Sequence, residues 1–132
     1  MKGTIKTQKV QLAFNHAIVR RDNRCRIRDY EPCSGRLECS HFHTVGSTNA
    51  LRFYPYNAFA QCSLHHHNHH TKKEDKDMYR NWLLENYPKE FAYMESVKNN
   101  YIKYTDEVKA NIISFCNNDN LEGLADYLKE LL

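Results

Sequence analysis

The stretch Cys62-Ser-Leu-His65-His66-His67-Asn68-His69-His70 decides how this chain is read. Together with Glu38-Cys39-Ser40-His41-Phe42-His43 upstream, it holds seven of the eight histidines in the sequence. Affinity tags sit at termini; this run is internal and is introduced by a cysteine. Thiols and imidazoles gathered in one segment are the ligands that divalent transition ions select.

Spacing divides the run. Cys25-x7-Cys33 and Cys62-x2-His65 are two ligand pairs with a hairpin's length of chain between them. Four such donors satisfy a tetrahedral structural zinc. Cys62 and His65, three apart at a helix start, can face one ion. Cys33 and Cys39 are an alternative first pair. Cys25 and Cys33 are preferred, because Cys39 falls in a strand two residues before His41. Cys116, among Ile112, Ile113 and Phe115, reads as core. His66 and His70 are four apart, so on a helix they share a face and can both bind a second cation, while His65 points round the helix toward the zinc side. His67 and His69 read as solvent-facing or phosphate-touching, and His16 as a surface residue.

Outward from the run, the pattern predicts an α+β fold: a small zinc-stapled β-hairpin plus a helix, followed by a helical C-terminal tail. Val10 to Arg21 has helical spacing in Val10, Phe14, Ala17 and Ile18. Residues 22–35 are irregular, broken by Asn23, Pro32 and Gly35. Arg36 to Thr44 reads as a strand, Gly46 to Asn49 as a turn and Leu51 to Tyr54 as the second strand. Ala58 to His70 reads as the helix that carries the ligands. Further helices are expected over Asp75–Glu85, Lys89–Tyr101, from Thr105 as an N-cap to Cys116, and over Leu121–Leu132. Two units follow: residues 1–100 as the metal-binding domain with its basic N-terminal segment, and residues 101–132 as a helical appendage packed on it.

Composition bounds the partners. Charged residues make up 27% of the 132, and no apolar run approaches the length of a membrane span, so no membrane partner is expected. Met1 to Lys9 is polar and basic, with no apolar core of a signal peptide, which points to a reducing, cytoplasmic setting. There the five cysteines read as ligands or thiols rather than disulfides. The net charge of +3 is mild, but residues 1–36 carry Lys2, Lys6, Lys9, Arg20, Arg21, Arg24, Arg26, Arg28 and Arg36 against three acids. Such a segment beside a metal cluster suits a polyanion, nucleic acid first.

Taken in order, Arg26-Ile-Arg-Asp29, Cys39-Ser-His-Phe42, Leu51-Arg-Phe53, Asn57-Ala-Phe-Ala-Gln-Cys62, His65-His66 and Met78-Tyr-Arg-Asn-Trp-Leu-Leu84 resemble the HNH (ββα-metal) endonucleases, and within them the phage recombination nucleases of the NinG/Rap type. The likeness spans residues 14–95, about two thirds of the chain. It implies a metal-dependent endonuclease that hydrolyses phosphodiester bonds in phage recombination or DNA processing, in the cytoplasm of a bacterial host. Its DNA would be branched or single-stranded. Junction cutters need two active sites, which points by analogy to a homodimer.

The resemblance also implies roles. His41 is the general base that takes a proton from the attacking water. Asn57 orients the His41 ring through its amide. His66, with His70 and with His43 on the same strand face as His41, holds Mg2+ or Mn2+, or Zn2+, beside the leaving oxygen. Arg52, with Arg20, Arg21, Arg26 and Arg28, contacts phosphates. Two departures stand out. Many HNH motifs carry an acidic ligand just before the first histidine, where this chain has Ser40. Where the family usually has a second cysteine-x2-cysteine pair, this chain has Cys62-x2-His65.

Two other functions compete. One is a zinc-stabilised nucleic-acid-binding module without catalysis. The other is a protein-interaction domain presenting the Leu121, Leu124, Leu128, Leu131 stripe.

Overall fold

The computed structural model describes residues 4–27 and 32–132; Arg28 and Asp29 lie outside them. The fold is α+β. A long helix α1 (Thr7–Asp22) leads into a two-stranded antiparallel sheet, β1 (Leu37–His41) and β2 (Ala58–Cys62). Five helices follow: α2 (Ser63–Thr71), α3 (Lys73–Asn86), α4 (Pro88–Val97), α5 (Asp106–Asn117) and α6 (Leu121–Leu131). Strand register pairs Leu37 with Cys62 and His41 with Ala58. The sheet therefore brings the histidine end of β1 opposite the start of β2, and α2 leaves β2 directly through Cys62.

The helices start and stop where local chemistry requires. α1 ends on Asn23 in the left-handed conformation (φ 53°), a position Asn tolerates better than most residues. Thr105 caps α5 by accepting from Val108 N, and Asn120 caps α6 by accepting from Gly123 N. Pro88 opens α4, where its missing N–H costs nothing.

The second strand is not where the sequence pattern puts it. Leu51–Tyr54 is not a strand: Asn49–Leu51 and Pro55–Asn57 are single 3-10 turns. The strand that pairs with β1 is Ala58–Cys62, the segment that reads as the first turns of a helix, and α2 begins only at Ser63. All five residues of β2 are buried, so it lacks the alternation that identifies a strand with one wet face.

The chain segment after α1 runs along the other side of β2. Arg26 N donates to Ala60 O (2.9 Å), Ala60 N donates to the Asp22 carboxylate (2.8 Å), and Cys62 N reaches Cys25 Sγ (3.4 Å). The Asp22 side chain is fully buried and holds two guanidiniums besides: Arg21 in a forked pair at 2.8 and 3.1 Å, and Arg26 at 2.9 Å. Removing one member of such a buried network costs roughly 3–5 kcal/mol, because the remaining charge is left unpaired.

A single apolar core runs from Val10 in α1 to Leu128 in α6. Phe14, Phe53, Tyr54, Phe59, Tyr79 and Leu83 are among its completely enclosed side chains. Burial of each contributes about 1.5–3 kcal/mol. Residues 101–132 share this core. α5 packs along α1, Arg20 bonds Asp119 and the Cys116 carbonyl, and Ile5 N donates to Asp106. The Leu121, Leu124 and Leu128 stripe is buried within the chain; Leu131 stays exposed. No helix among the described residues is long and apolar enough to cross a membrane.

Candidate metal centre

Cys25, Cys33, Cys62 and His65 come together from three places: the segment after α1, the loop before β1, and the β2–α2 junction. Their ligand atoms all lie within 4.8 Å of one another. Cys25 Sγ is 3.3 Å and Cys33 Sγ 4.0 Å from His65 Nδ1. Zinc bonds of about 2.3 Å to sulfur and 2.0–2.1 Å to nitrogen give tetrahedral edges of roughly 3.5–3.8 Å, so the donor set fits one zinc ion. Three of the four ligands are buried and Cys33 closes the cluster from the surface. Cys33, and not Cys39, completes it. Cys39 lies in β1 against the core, where burial pushes its thiol far above the ordinary range.

Backbone donors prepare the cluster for charge. His65 N reaches Cys62 Sγ (3.5 Å) at the first turn of α2, which holds the Cys62 thiol below its ordinary value despite burial. Cys25, deeper, is pushed up to about 12 by desolvation. Gly35 (φ +84°) carries the Cys33 loop past α2 so closely that an added Cβ would lie 2.7 Å from Ser63 Cβ. Ser63 N and Leu64 N donate to Arg36 O and Ser34 O, fastening loop to helix.

On the opposite face of α2 sits a second group. His66 Nδ1 donates to Glu38 Oε1 (2.9 Å), and His66 Nε2 lies 3.1 Å from His70 Nε2. At that distance the two rings form a hydrogen bond, with His70 Nε2–H donating to the unprotonated His66 Nε2. Glu38 fixes the His66 tautomer so that Nε2 carries the lone pair. Glu38 is a residue the sequence reading missed. Its signal was its place, three residues before His41 on the same strand.

His41 is 8% exposed and its ring packs on Phe14. Its Nε2–H donates to the Arg52 carbonyl (2.9 Å), which leaves Nδ1 as the basic nitrogen. Desolvation, assisted by the charges of Arg52, His66 and His70, lowers its pKa to about 4, so the ring is neutral at neutral pH. The expectation that the Asn57 amide orients the His41 ring is corrected. Asn57 is fully buried and binds backbone instead: it accepts from His43 N (2.9 Å) and donates to His43 O (3.0 Å) and Leu51 O (3.1 Å). It locks the end of β1 to the turn whose next residue, Arg52, holds His41.

Other expected site residues are placed differently. His43 donates through Nε2 to Glu95 on α4 (2.8 Å) and stacks on Phe42, so its ring is spent away from His66. His69, expected in solvent, is 3% exposed; its Nε2–H donates to the His41 carbonyl (3.2 Å), and burial lowers its pKa to about 4. The i, i+4 spacing that pairs His66 with His70 also puts His69 on the inward face with His65. Ser40 is buried, its hydroxyl accepting from Gln61, and does not take the place of an acidic ligand. The arginines expected at phosphates have protein partners in the structure. Arg21 and Arg26 spend their donors on Asp22, Arg21 also on the Pro55 and Ala58 carbonyls, and Arg26 stacks near Trp82. Arg20 pairs with Asp119, and Arg52 donates to Gln11. Arg28 lies outside the described residues.

No family model, no curated protein and no solved structure matches this chain.

Proposed function

We propose that this chain is a zinc-stapled, metal-dependent DNA endonuclease. The observation that carries the reading is the tautomer-fixed His41 at the end of β1, the strand that also carries Glu38, the partner of His66 on the following helix. The order of two strands and a helix with these residues also supports the resemblance to the HNH nucleases.

Each group has a task. His41 Nδ1 takes a proton from the water that attacks phosphorus. The Arg52 carbonyl keeps the ring in the productive tautomer and accepts part of its growing positive charge. Asn57 holds that carbonyl's turn in place. His66 and His70 hold the cation, and Glu38 orients His66. When bound, a divalent cation there supplies Lewis-acid stabilisation of the leaving oxygen. Two imidazole donors suit a transition ion such as Zn2+ or Mn2+ better than Mg2+, which prefers oxygen ligands. Cys25, Cys33, Cys62 and His65 hold zinc as a staple and touch no reacting atom.

The test is direct. Incubate the zinc-loaded chain with supercoiled plasmid, a four-way junction and single-stranded DNA, adding Mn2+, Mg2+ or Zn2+ in turn. Cleavage is expected, with His41→Ala slower by roughly 10²- to 10⁴-fold at unchanged circular dichroism. Cleavage of none of these substrates, or equal rates for His41→Ala, overturns the reading.

A further inference from the structure

Two grooves meet at the histidine pair. His66 lines one of them, about 640 Å³, between α1 and β1, together with Leu12, His16, Arg20, Arg36 and Glu38. His70 lines the other, about 280 Å³, on the side of α3 and α4, together with His43, Lys76, Arg80, Glu95 and Lys98. The two ring nitrogens that separate the grooves are only 3.1 Å apart. A ligand passing from one groove to the other must cross the pair.

The charges along that line favour a polyanion. Arg20 and Arg36 stand in the first groove against Glu38, and Lys76, Arg80 and Lys98 in the second against Asp77 and Glu95. Part of this is already used: Arg20 pairs with Asp119, and Lys98 with Glu95. Arg36, Lys76 and Arg80 are exposed, and Arg80 is held by stacking over Phe91 (5.3 Å), which presents its guanidinium at a fixed place. Lys76 and Arg80 lie outside the basic N-terminal segment, and Arg36 is its last member.

We propose that one nucleic-acid strand runs across α2 from the α1–β1 groove to the α3–α4 groove, its backbone phosphates held by Arg36 on one side and by Lys76 and Arg80 on the other. The proposal rests on the nuclease reading only for the position of the scissile phosphate, which then lies over His66 and His70. The shared chemistry is a phosphodiester backbone, whether of a lone strand or of one strand in a duplex.

The experiment is fluorescence anisotropy with fluorescein-labelled 20-nucleotide single-stranded and hairpin-duplex DNA, using the full zinc-loaded chain carrying His41→Ala so that nothing is cut. Sodium chloride is varied from 50 to 200 mM. Lys76→Glu with Arg80→Glu should weaken binding of the preferred DNA at least tenfold and reduce the log–log salt slope by about 1.4 to 1.8, the loss of two phosphate contacts. Arg36→Glu should weaken it severalfold. Lys89→Glu with Lys129→Glu, two exposed lysines outside both grooves, controls for net charge and should change binding less than about threefold. If either groove variant matches this control, or the unaltered grooves bind neither DNA, the track is overturned. Cleavage by wild type with unaffected groove variants leaves the nuclease reading standing and removes the track. Groove-dependent binding with no cleavage does the reverse.

Discussion

His41 and His69 are the residues whose ionisation the fold controls most firmly. Both are buried, and both have pKa values near 4 in the folded chain against about 6.5 when unfolded. Between those values the unfolded chain takes up protons that the folded chain refuses. Stability is therefore complete above about pH 6.5 and drains as pH falls toward 4, by at most about 1.4 kcal/mol per pH unit for each group. Urea midpoints at pH 7.5, 6.0 and 5.0 should fall with acidification, and the slope should be flatter in His69→Gln. Parallel slopes would remove His69 from this role. Residue by residue, the four clustered ligands were readable from Cys25-x7-Cys33 and a Cys-x2-His at a helix start, with Cys39 set aside because it falls in a strand. The arginines were not. Sequence shows that Arg20, Arg21 and Arg26 cluster, but not that Asp22, on the same helix end, gathers two of them into the interior.

At the scale of elements, the error was one of phase. Ala58-Phe-Ala-Gln-Cys62 is rich in residues that helices favour and has no polar alternation, because α1, α2 and the segment after α1 cover it on every side. Leu51–Tyr54 has strand-like residues but is bracketed by Pro55 and a 3-10 turn. Of the later helices, α5 and α6, which carry side-chain caps, were legible to within a residue, whereas the helix expected over Lys89–Tyr101 ends at Val97. The Cys33 loop depends on a feature no periodicity reveals, the near contact of Gly35 with Ser63. Gly35→Ala adds both a clash and a strained positive φ. It should push Cys33 away from the other three ligands and weaken zinc binding at least tenfold in competition with a chromogenic chelator. Wild-type affinity in this variant would show that the loop can shift without losing Cys33.

On the scale of the whole molecule, the four-ligand cluster adds one common point to three segments that hydrogen bonds already hold together. Its four ligands tie the end of α1, the loop before β1 and the β2–α2 junction at one point. A structural zinc of this type contributes on the order of 10 kcal/mol of binding free energy, comparable to the stability of an entire small domain. The two-stranded sheet is otherwise too small to stand alone. One zinc per chain is expected by atomic absorption, and its removal should lower the thermal midpoint by more than 10 °C. The fate of the stripped chain follows from the neighbour of β2. The segment that carries Asp22, Cys25 and Arg26 does for β2 what a third strand would do, filling the hydrogen-bonding edge that β1 leaves open. Cys25 is its fastening to the ion. Without it, a fully buried and largely apolar strand offers its free edge to the next molecule, the arrangement that seeds edge-to-edge assembly. Chelation should therefore produce oligomers visible by light scattering before helical signal is lost, and a dispersed, unfolded monomer as the first product would contradict this. A zinc ion held by these four ligands would act as a guard against self-association as well as a staple.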